Sequence, residues 1–446
     1  MVARLVIAAP SSGAGKTTVA TGLMAAFRKR GLTVSPHKVG PDYIDPGYHS
    51  LATGRPGRNL DPVMVGEDLI APLFLHGAAG ADLAIVEGVM GLYDGKGATE
   101  HGSTAHVAHL LDAPVVLVVD ASSQSRSVAA LVHGFRSYDE DLRFAGVILN
   151  RVGSDRHEQV LREALQGVAP VLGVLRRDAD VATPSRHLGL IPAAERTPEA
   201  VATVERLGRV VAAGCDLDAL HQIACTAGHL EAEPWSPPIA LRGARPIVAL
   251  AGGAAFTFAY AEMTECLTAA GANVVVVDPL REERLPAGAS ALVLPGGFPE
   301  VYAEQLTANR GFLEAVRAHV GGRRTTYAEC AGLLLLCTSL DGVEMVGHFD
   351  ATAQMTPKLT LGYRTVVAHS ASLVADVGTV LVGHEFHRTA VEPRSGLRPA
   401  WQLEDGTFEG FTTAEDIVAS YIHLHPAGAP SLALNLVRHA SLVAAA

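Results

Sequence analysis

The chain has 446 residues, too many for one ordinary core, so two or three domains are expected. Its 48% hydrophobic and 18% charged content fits a globular protein, and a net charge of −11 argues against non-specific nucleic-acid binding while leaving room for a locally basic pocket. Five cysteines (Cys215, Cys225, Cys266, Cys330, Cys337) with no C-x-x-C pair indicate neither a zinc ribbon nor a disulfide framework, and the absence of a signal-peptide pattern or a spanning apolar run predicts a cytoplasmic protein with no membrane partner.

In chain order, residues 5–9 read as a strand and 17–30 as a helix with Val19, Leu23 and Phe27 on one face, ended by Gly31. Residues 83–86, 113–119 and 145–149 read as further buried strands, with helical stretches after them such as 157–166. This alternation predicts a parallel sheet with crossover helices. The segment Glu231-Ala-Glu-Pro-Trp-Ser-Pro-Pro238 breaks the pattern, because three prolines in five residues suit neither a helix nor a central strand. We therefore expect domains at 1–225 and 245–446 joined by a linker at 226–244. The second series has strands at 247–250, 273–277 and 291–294 and a helix at 260–270 ended by Gly271.

Ala9-Pro10-Ser11-Ser12-Gly13-Ala14-Gly15-Lys16-Thr17-Thr18 lies between the first strand and the first helix, the context of a phosphate-binding loop. Glycines at 13 and 15 let backbone N–H groups approach phosphate oxygens, and the helix N-terminus adds positive potential. Lys16 would reach the β- and γ-phosphates and Thr17 would hold Mg²⁺. Pro10 stands where the full motif has glycine. Glu87 ends a buried strand and would complete the metal site. Lys38-Val-Gly-Pro-Asp42-Tyr-Ile-Asp45 places a lysine and two carboxylates among turn residues, with Lys38 a second phosphate contact and Asp42 either a metal ligand or a cap on turn amides. Asn150, after a buried strand, could read an adenine edge or simply make a turn, and Asp120 is similarly open.

Thr325-Thr-Tyr-Ala-Glu-Cys330-Ala-Gly-Leu reads as strand, sharp turn and helix, an elbow that small residues at Ala328 and Gly332 permit. A cysteine at a helix N-terminus is expected to have a lowered pKa. Gly296-Gly297 after a strand could offer amides to an oxyanion, and Ser420-Tyr-Ile-His423-Leu-His425 offers two histidines on one side of a strand, one of them the base. Cys337, in the apolar helix after the elbow, reads as structural.

With Val-Glu-Gly-Val-Met-Gly-Leu-Tyr-Asp-Gly (86–95), Arg-His-Leu-Gly-Leu-Ile-Pro (186–192) and Gly-Gly-Phe-Pro-Glu (296–300), these segments resemble the cobyrinic acid and hydrogenobyrinic acid a,c-diamide synthase family over nearly the whole chain. The resemblance implies an α/β protein with a dethiobiotin-synthetase-like P-loop domain and a class I, triad-type glutamine amidotransferase domain. The implied activity is ATP- and glutamine-dependent amidation of a corrinoid polycarboxylate in cobalamin biosynthesis, with Mg²⁺, by a carbon–nitrogen ligase. A homodimer stays open. Carried over by position, Gly13, Gly15, Lys16, Thr17, Thr18, Lys38 and Asn150 serve the nucleotide, and Thr17, Asp42 and Glu87 the metal. Asp42, Tyr43, Ile44 and Asp94 would meet the substrate. Cys330 would be the glutaminase nucleophile and His423 its base, with His425 as alternative and Gly296 and Gly297 as oxyanion donors. Arg151, Arg156, Arg186 and His187 are candidates for substrate carboxylates. Gly253 departs from the aspartate usual in relatives, and no third triad carboxylate follows His423. A nickel-tetrapyrrole amidotransferase and a regulatory P-loop ATPase are the alternatives.

Overall fold

Short runs of valine, isoleucine, leucine and alanine, buried on both faces, build a seven-stranded parallel sheet in the first part of the chain. A computed structural model gives the structure of the protein and describes residues 2–177, 185–186, 189–190, 197–239, 245–413 and 416–445. The chain divides into two compact units, Met1–Trp235 and Ser236–Ala446. The division falls within the proline-rich segment 231–238.

In spatial order, the first sheet runs Arg58–Leu60, Val34–Val39, Leu83–Glu87, Ala3–Ala8, Val115–Asp120, Phe144–Val152 and Val171–Arg176. Every described pairing in it is parallel. The register sets Glu87 opposite Ile7 and Lys38, and Asp120 opposite Asn150, so these polar groups collect where the strands end. The helix Lys16–Lys29 starts directly after Gly15, whose φ of 104° a side chain would resist, and the chain turns away at Gly31. The expected turn at 38–45 is shorter than the sequence suggests. Lys38 belongs to the fully buried strand Val34–Val39, and Asp45 opens the helix Asp45–Thr53.

The second unit holds a six-stranded sheet ordered Asn273–Val277, Ile247–Ala251, Ala289–Leu294, Thr325–Glu329, Ile417–Ser420 and Phe411–Thr413, parallel except for the last pair. Between the fourth and fifth strands lies a long antiparallel ribbon, Thr352–Ala368 with Val380–Glu392. The helix Ala331–Leu336 leaves the central strand at Cys330, and its four leucines are at most 1% exposed. Each contributes up to about 1.5–3 kcal/mol on burial, enough together to hold an unfavourable backbone turn of about 1–3 kcal/mol beside it.

Candidate functional site

Gly13 and Gly15 both adopt positive φ, 82° and 104°, and a Cβ at Gly15 would stand 2.2 Å from Asn150 Nδ2. The loop is thus closed against Asn150, which donates from Nδ2 to the Ala14 carbonyl at 2.9 Å while its Oδ1 accepts the Arg151 amide at 2.9 Å. Its amide thus ties the end of its own strand to the phosphate loop 136 residues earlier in the chain. Lys16 is buried and donates to the carbonyls of Ser11 and Met90. Burial, then Lys38, pulls its pKa down to about 8, and a polyphosphate brought against it would raise it again. Thr18 is half-buried on the first turn of the helix.

Thr17 Oγ1 donates to Glu87 Oε1 at 2.6 Å and to Asp45 Oδ2 at 3.3 Å. Lys38 Nζ lies 2.7 Å from Asp45 Oδ2, 2.9 Å from Glu87 Oε1 and 4.0 Å from Asp42 Oδ2. His49 Nε2 meets Glu87 Oε2 at 2.6 Å, both side chains fully buried. Burial opposes charge on Lys38, yet the carboxylates of Asp45, Glu87 and Asp42 outweigh it and raise its pKa. Glu87 is held below the usual carboxylate range because Lys38 and the bonds from His49 and Thr17 overcome burial. Asp45 moves the other way, raised by burial and by Asp42 and Glu87. Lys38 is enclosed by carboxylates rather than presented to a phosphate from a turn. Asp42 turns its Oδ1 to the amides of Ile44 and Asp45 at 2.8 and 3.0 Å, a cap on its own turn. Asp45, not Asp42, stands beside Thr17 and Glu87. His49 carried no sequence signal. Tyr43 and Ile44 are buried, and Asp94 accepts the Gly91 amide at 2.8 Å.

Thr17, Glu87 and Asp45 converge as hydroxyl and carboxylate oxygens, a hard-donor set that suits Mg²⁺. Arg151 pairs with Asp120, and Arg156 is exposed. The Arg186 side chain and His187 lie outside the described residues.

In the second unit, Cys330 has φ 45° and ψ −98°, a backbone conformation that non-glycine residues seldom adopt and that marks a strained elbow. The tightness has a cause, since a Cβ at Gly332 would sit 2.2 Å from the Leu294 carbonyl. The strand leading to Cys330 lies between Ala289–Leu294 and Ile417–Ser420, so the Gly296–Gly297 loop and His423 emerge on either side of the elbow. A Cβ at Gly296 would stand 2.3 Å from His423 Cε1, and one at Gly297 2.2 Å from the Ala255 carbonyl.

The thiol does not have the lowered pKa expected at a helix N-terminus. Burial, then the carboxylates of Glu300 and Glu329, pushes it up, against hydrogen bonds from the amides of Ala331 and Gly297. The helix is only six residues long, and desolvation of the thiolate outweighs its dipole. The amides of Gly297 and Ala331 thus face the sulfur. The Gly296 carbonyl is taken by the Phe258 amide at 3.0 Å.

His423 is fully buried, its backbone paired in both directions with His384 at 2.9 and 3.0 Å. Its Nδ1 lies 3.3 Å from Glu329 Oε2. His425 faces other groups, the Tyr260 ring at 4.4 Å and Glu262 Oε2 at 4.0 Å, and accepts the Ala427 amide. Gly253 has φ 80°, and a Cβ there would lie 2.4 Å from Asp278 Cγ. A carboxylate is therefore next to the position that lacks one. No helix among the described residues is long and apolar enough to cross a membrane.

Residues 5–191 match the CobQ/CobB/MinD/ParA nucleotide binding domain, and residues 247–430 the CobB/CobQ-like glutamine amidotransferase domain. Hydrogenobyrinate a,c-diamide synthase of Streptomyces coelicolor is 57% identical, covering 98% of this chain and 97% of its own. The protein of that name from Thermobifida fusca is 54% identical, over 96% and 95%. A cobyrinate a,c-diamide synthase from a Synechococcus species is 42% identical over 97% of each. Matched at such identity from end to end, and with a phosphate loop in one unit and a cysteine elbow in the other, the chain belongs to the a,c-diamide synthase family of glutamine-dependent amidotransferases.

Proposed function

We propose that the protein is a cytoplasmic carbon–nitrogen ligase that converts the a and c acetate carboxylates of hydrogenobyrinic acid to amides, using ATP and L-glutamine. The observation that carries this reading is the presence in one chain of a phosphate loop facing Thr17, Asp45 and Glu87 and of an elbow cysteine beside a carboxylate-linked histidine. The cobalt-free corrinoid is favoured over cobyrinic acid because the relatives named for it are 51–57% identical, against 40–42% for those named for cobyrinate. A regulatory ATPase would have no use for the Cys330 half.

A carboxylate does not exchange oxide for ammonia, so it must first acquire a leaving group. The substrate carboxylate attacks the γ-phosphorus of ATP, the bond to the β-phosphate oxygen breaks, and an acyl phosphate and ADP form. Lys16 and the loop amides hold the polyphosphate during this transfer. Thr17, Asp45 and Glu87 would hold Mg²⁺, which supplies charge neutralisation at the transferring phosphoryl group when bound. Lys38 keeps the two carboxylates from repelling each other, and His49 fixes Glu87.

In the second domain burial favours the neutral thiol, so its proton must leave as the attack proceeds. His423 takes it, Cys330 Sγ attacks the glutamine side-chain carbon, and the amides of Gly297 and Ala331 receive the oxyanion. His423 returns the proton to the leaving ammonia, and water cleaves the thioester to glutamate. Ammonia displaces phosphate from the acyl phosphate and leaves the amide.

The test is Cys330→Ala assayed with hydrogenobyrinic acid, cobyrinic acid and a nickel sirohydrochlorin in parallel. Glutamine-dependent mass change should vanish and ammonium-dependent change, with ADP, should persist on one acceptor. Retained glutamine-dependent amidation would overturn the role of Cys330, and reaction on the nickel tetrapyrrole alone would overturn the acceptor.

A further inference from the structure

Triad-type glutaminases need a carboxylate to fix the tautomer and orientation of the histidine and to stabilise the imidazolium that forms. The chain after His423 offers none. The structure supplies one from the opposite direction. Glu329 is the last residue of the nucleophile's own strand, directly before the elbow, and it is buried. Parallel pairing sets it opposite Ser420, three residues before His423. Its two oxygens divide their work. Oε2 faces His423 Nδ1 at 3.3 Å, and Oε1 accepts the amide of Leu424 at 3.0 Å and the hydroxyl of Tyr327 at 2.5 Å. One carboxylate thus holds both the ring of His423 and the backbone beside it.

The other buried carboxylates of this domain are occupied. Glu409 accepts from Ser420 Oγ and the Tyr421 amide, Glu385 pairs with Arg364 at 2.6 Å, and Glu262 lies by His425. We propose that Glu329 is the positioning carboxylate of the glutaminase, taking from the residue before the nucleophile the part usually played by one beyond the histidine. This rests on the glutaminase reading of Cys330 and His423. With Nδ1 directed at Glu329, the ring presents Nε2 as the nitrogen that exchanges the proton with the thiol and then with ammonia.

The test is a double-mutant cycle with Glu329→Gln and His423→Ala, read as glutamine hydrolysis and, separately, as ammonium-dependent amidation. Glutamine keeps the size of the side chain and an acceptor for Tyr327 and Leu424, so the fold should stand. E329Q should lower kcat for glutamine roughly 100-fold or more with KM within about threefold, and in the H423A background it should add less than about threefold. Ammonium-dependent amidation should stay within about twofold in all three variants. A near-normal kcat in E329Q, full multiplicative loss in the double variant, or loss of ammonium-dependent activity alongside would each overturn the assignment. Undiminished glutamine use by C330A would instead remove the glutaminase reading, and this proposal with it.

Discussion

Glu87→Gln isolates charge from shape at the nucleotide site. Glu87 is fully buried and receives Thr17 at 2.6 Å, Lys38 at 2.9 Å and His49 at 2.6 Å. A glutamine can keep its carbonyl toward Thr17 and Lys38 and turn its amide to His49, whose ring can change tautomer to accept. What is lost is the charge behind three bonds. Bonds to a charged group contribute about 1 kcal/mol more than neutral ones, which gives about 3 kcal/mol, and Lys38 keeps Asp45 at 2.7 Å, so the net cost is about 2–3 kcal/mol. Urea unfolding of the N-terminal domain reads this directly. ADP formation with ammonium as nitrogen donor should fall by about 100-fold, and glutamine hydrolysis should hold within about twofold. An unchanged ammonium-dependent rate would refute the placing of Glu87 at the phosphoryl-transfer site, and a stability loss above about 5 kcal/mol would show that the cluster serves the fold instead.

Two further predictions concern the second domain. Gly296→Ala puts a methyl group 2.3 Å from His423 Cε1, so glutamine hydrolysis should drop about 100-fold with ammonium-dependent amidation intact, and a rate within about threefold of normal would refute the geometry. Glu409 is buried on all sides, and burial raises its pKa to about 7. A carboxyl group with a raised folded pKa weakens the fold as pH climbs from the unfolded value, near 4.3, through the folded one, and the full penalty is present above it. Glu409→Gln, able to accept from Tyr421 and donate to Ser420, should therefore gain up to about 3 kcal/mol near pH 8 and nothing near pH 4. A gain equal at both pH values in urea unfolding would refute the burial argument.

The phosphate loop and the elbow are legible in sequence because their chemistry is contiguous: the glycines, Lys16 and Thr17 are neighbours, and so are Ala328, Cys330 and Gly332. The choice between Asp42 and Asp45 is not local. It depends on where the strand through Lys38 ends and where the helix at Asp45 begins, and that places Asp45 on Lys38 and leaves Asp42 capping the turn. His49 gains its meaning only when its helix docks on Glu87. Glu329 has no local signal, because its link to His423 crosses two strands far apart in the chain. The ribbon 352–392 is hidden in the sequence for another reason. Its faces are half-exposed, and its pairing register shifts between Met355 and Thr360, around Pro357, which blurs the alternation that marks a strand. The Cys330 thiol departs from the expected lowering because a dipole can be read from sequence and desolvation cannot.

The interleaving of strands in the second domain also orders its assembly. The nucleophile's strand is made first, and its partner Ile417–Ser420 follows about ninety residues later, after the whole ribbon, so the pairing that delivers His423 is among the most distant contacts in the domain. Such a contact closes late, because the entropy of a long loop must be met before the pairing rewards it. A growing chain on the ribosome therefore carries Cys330 long before it carries His423. Under the proposed glutaminase roles it consumes no glutamine until the Ile417–Ser420 strand docks, by which time the nucleotide-binding domain has long been synthesised.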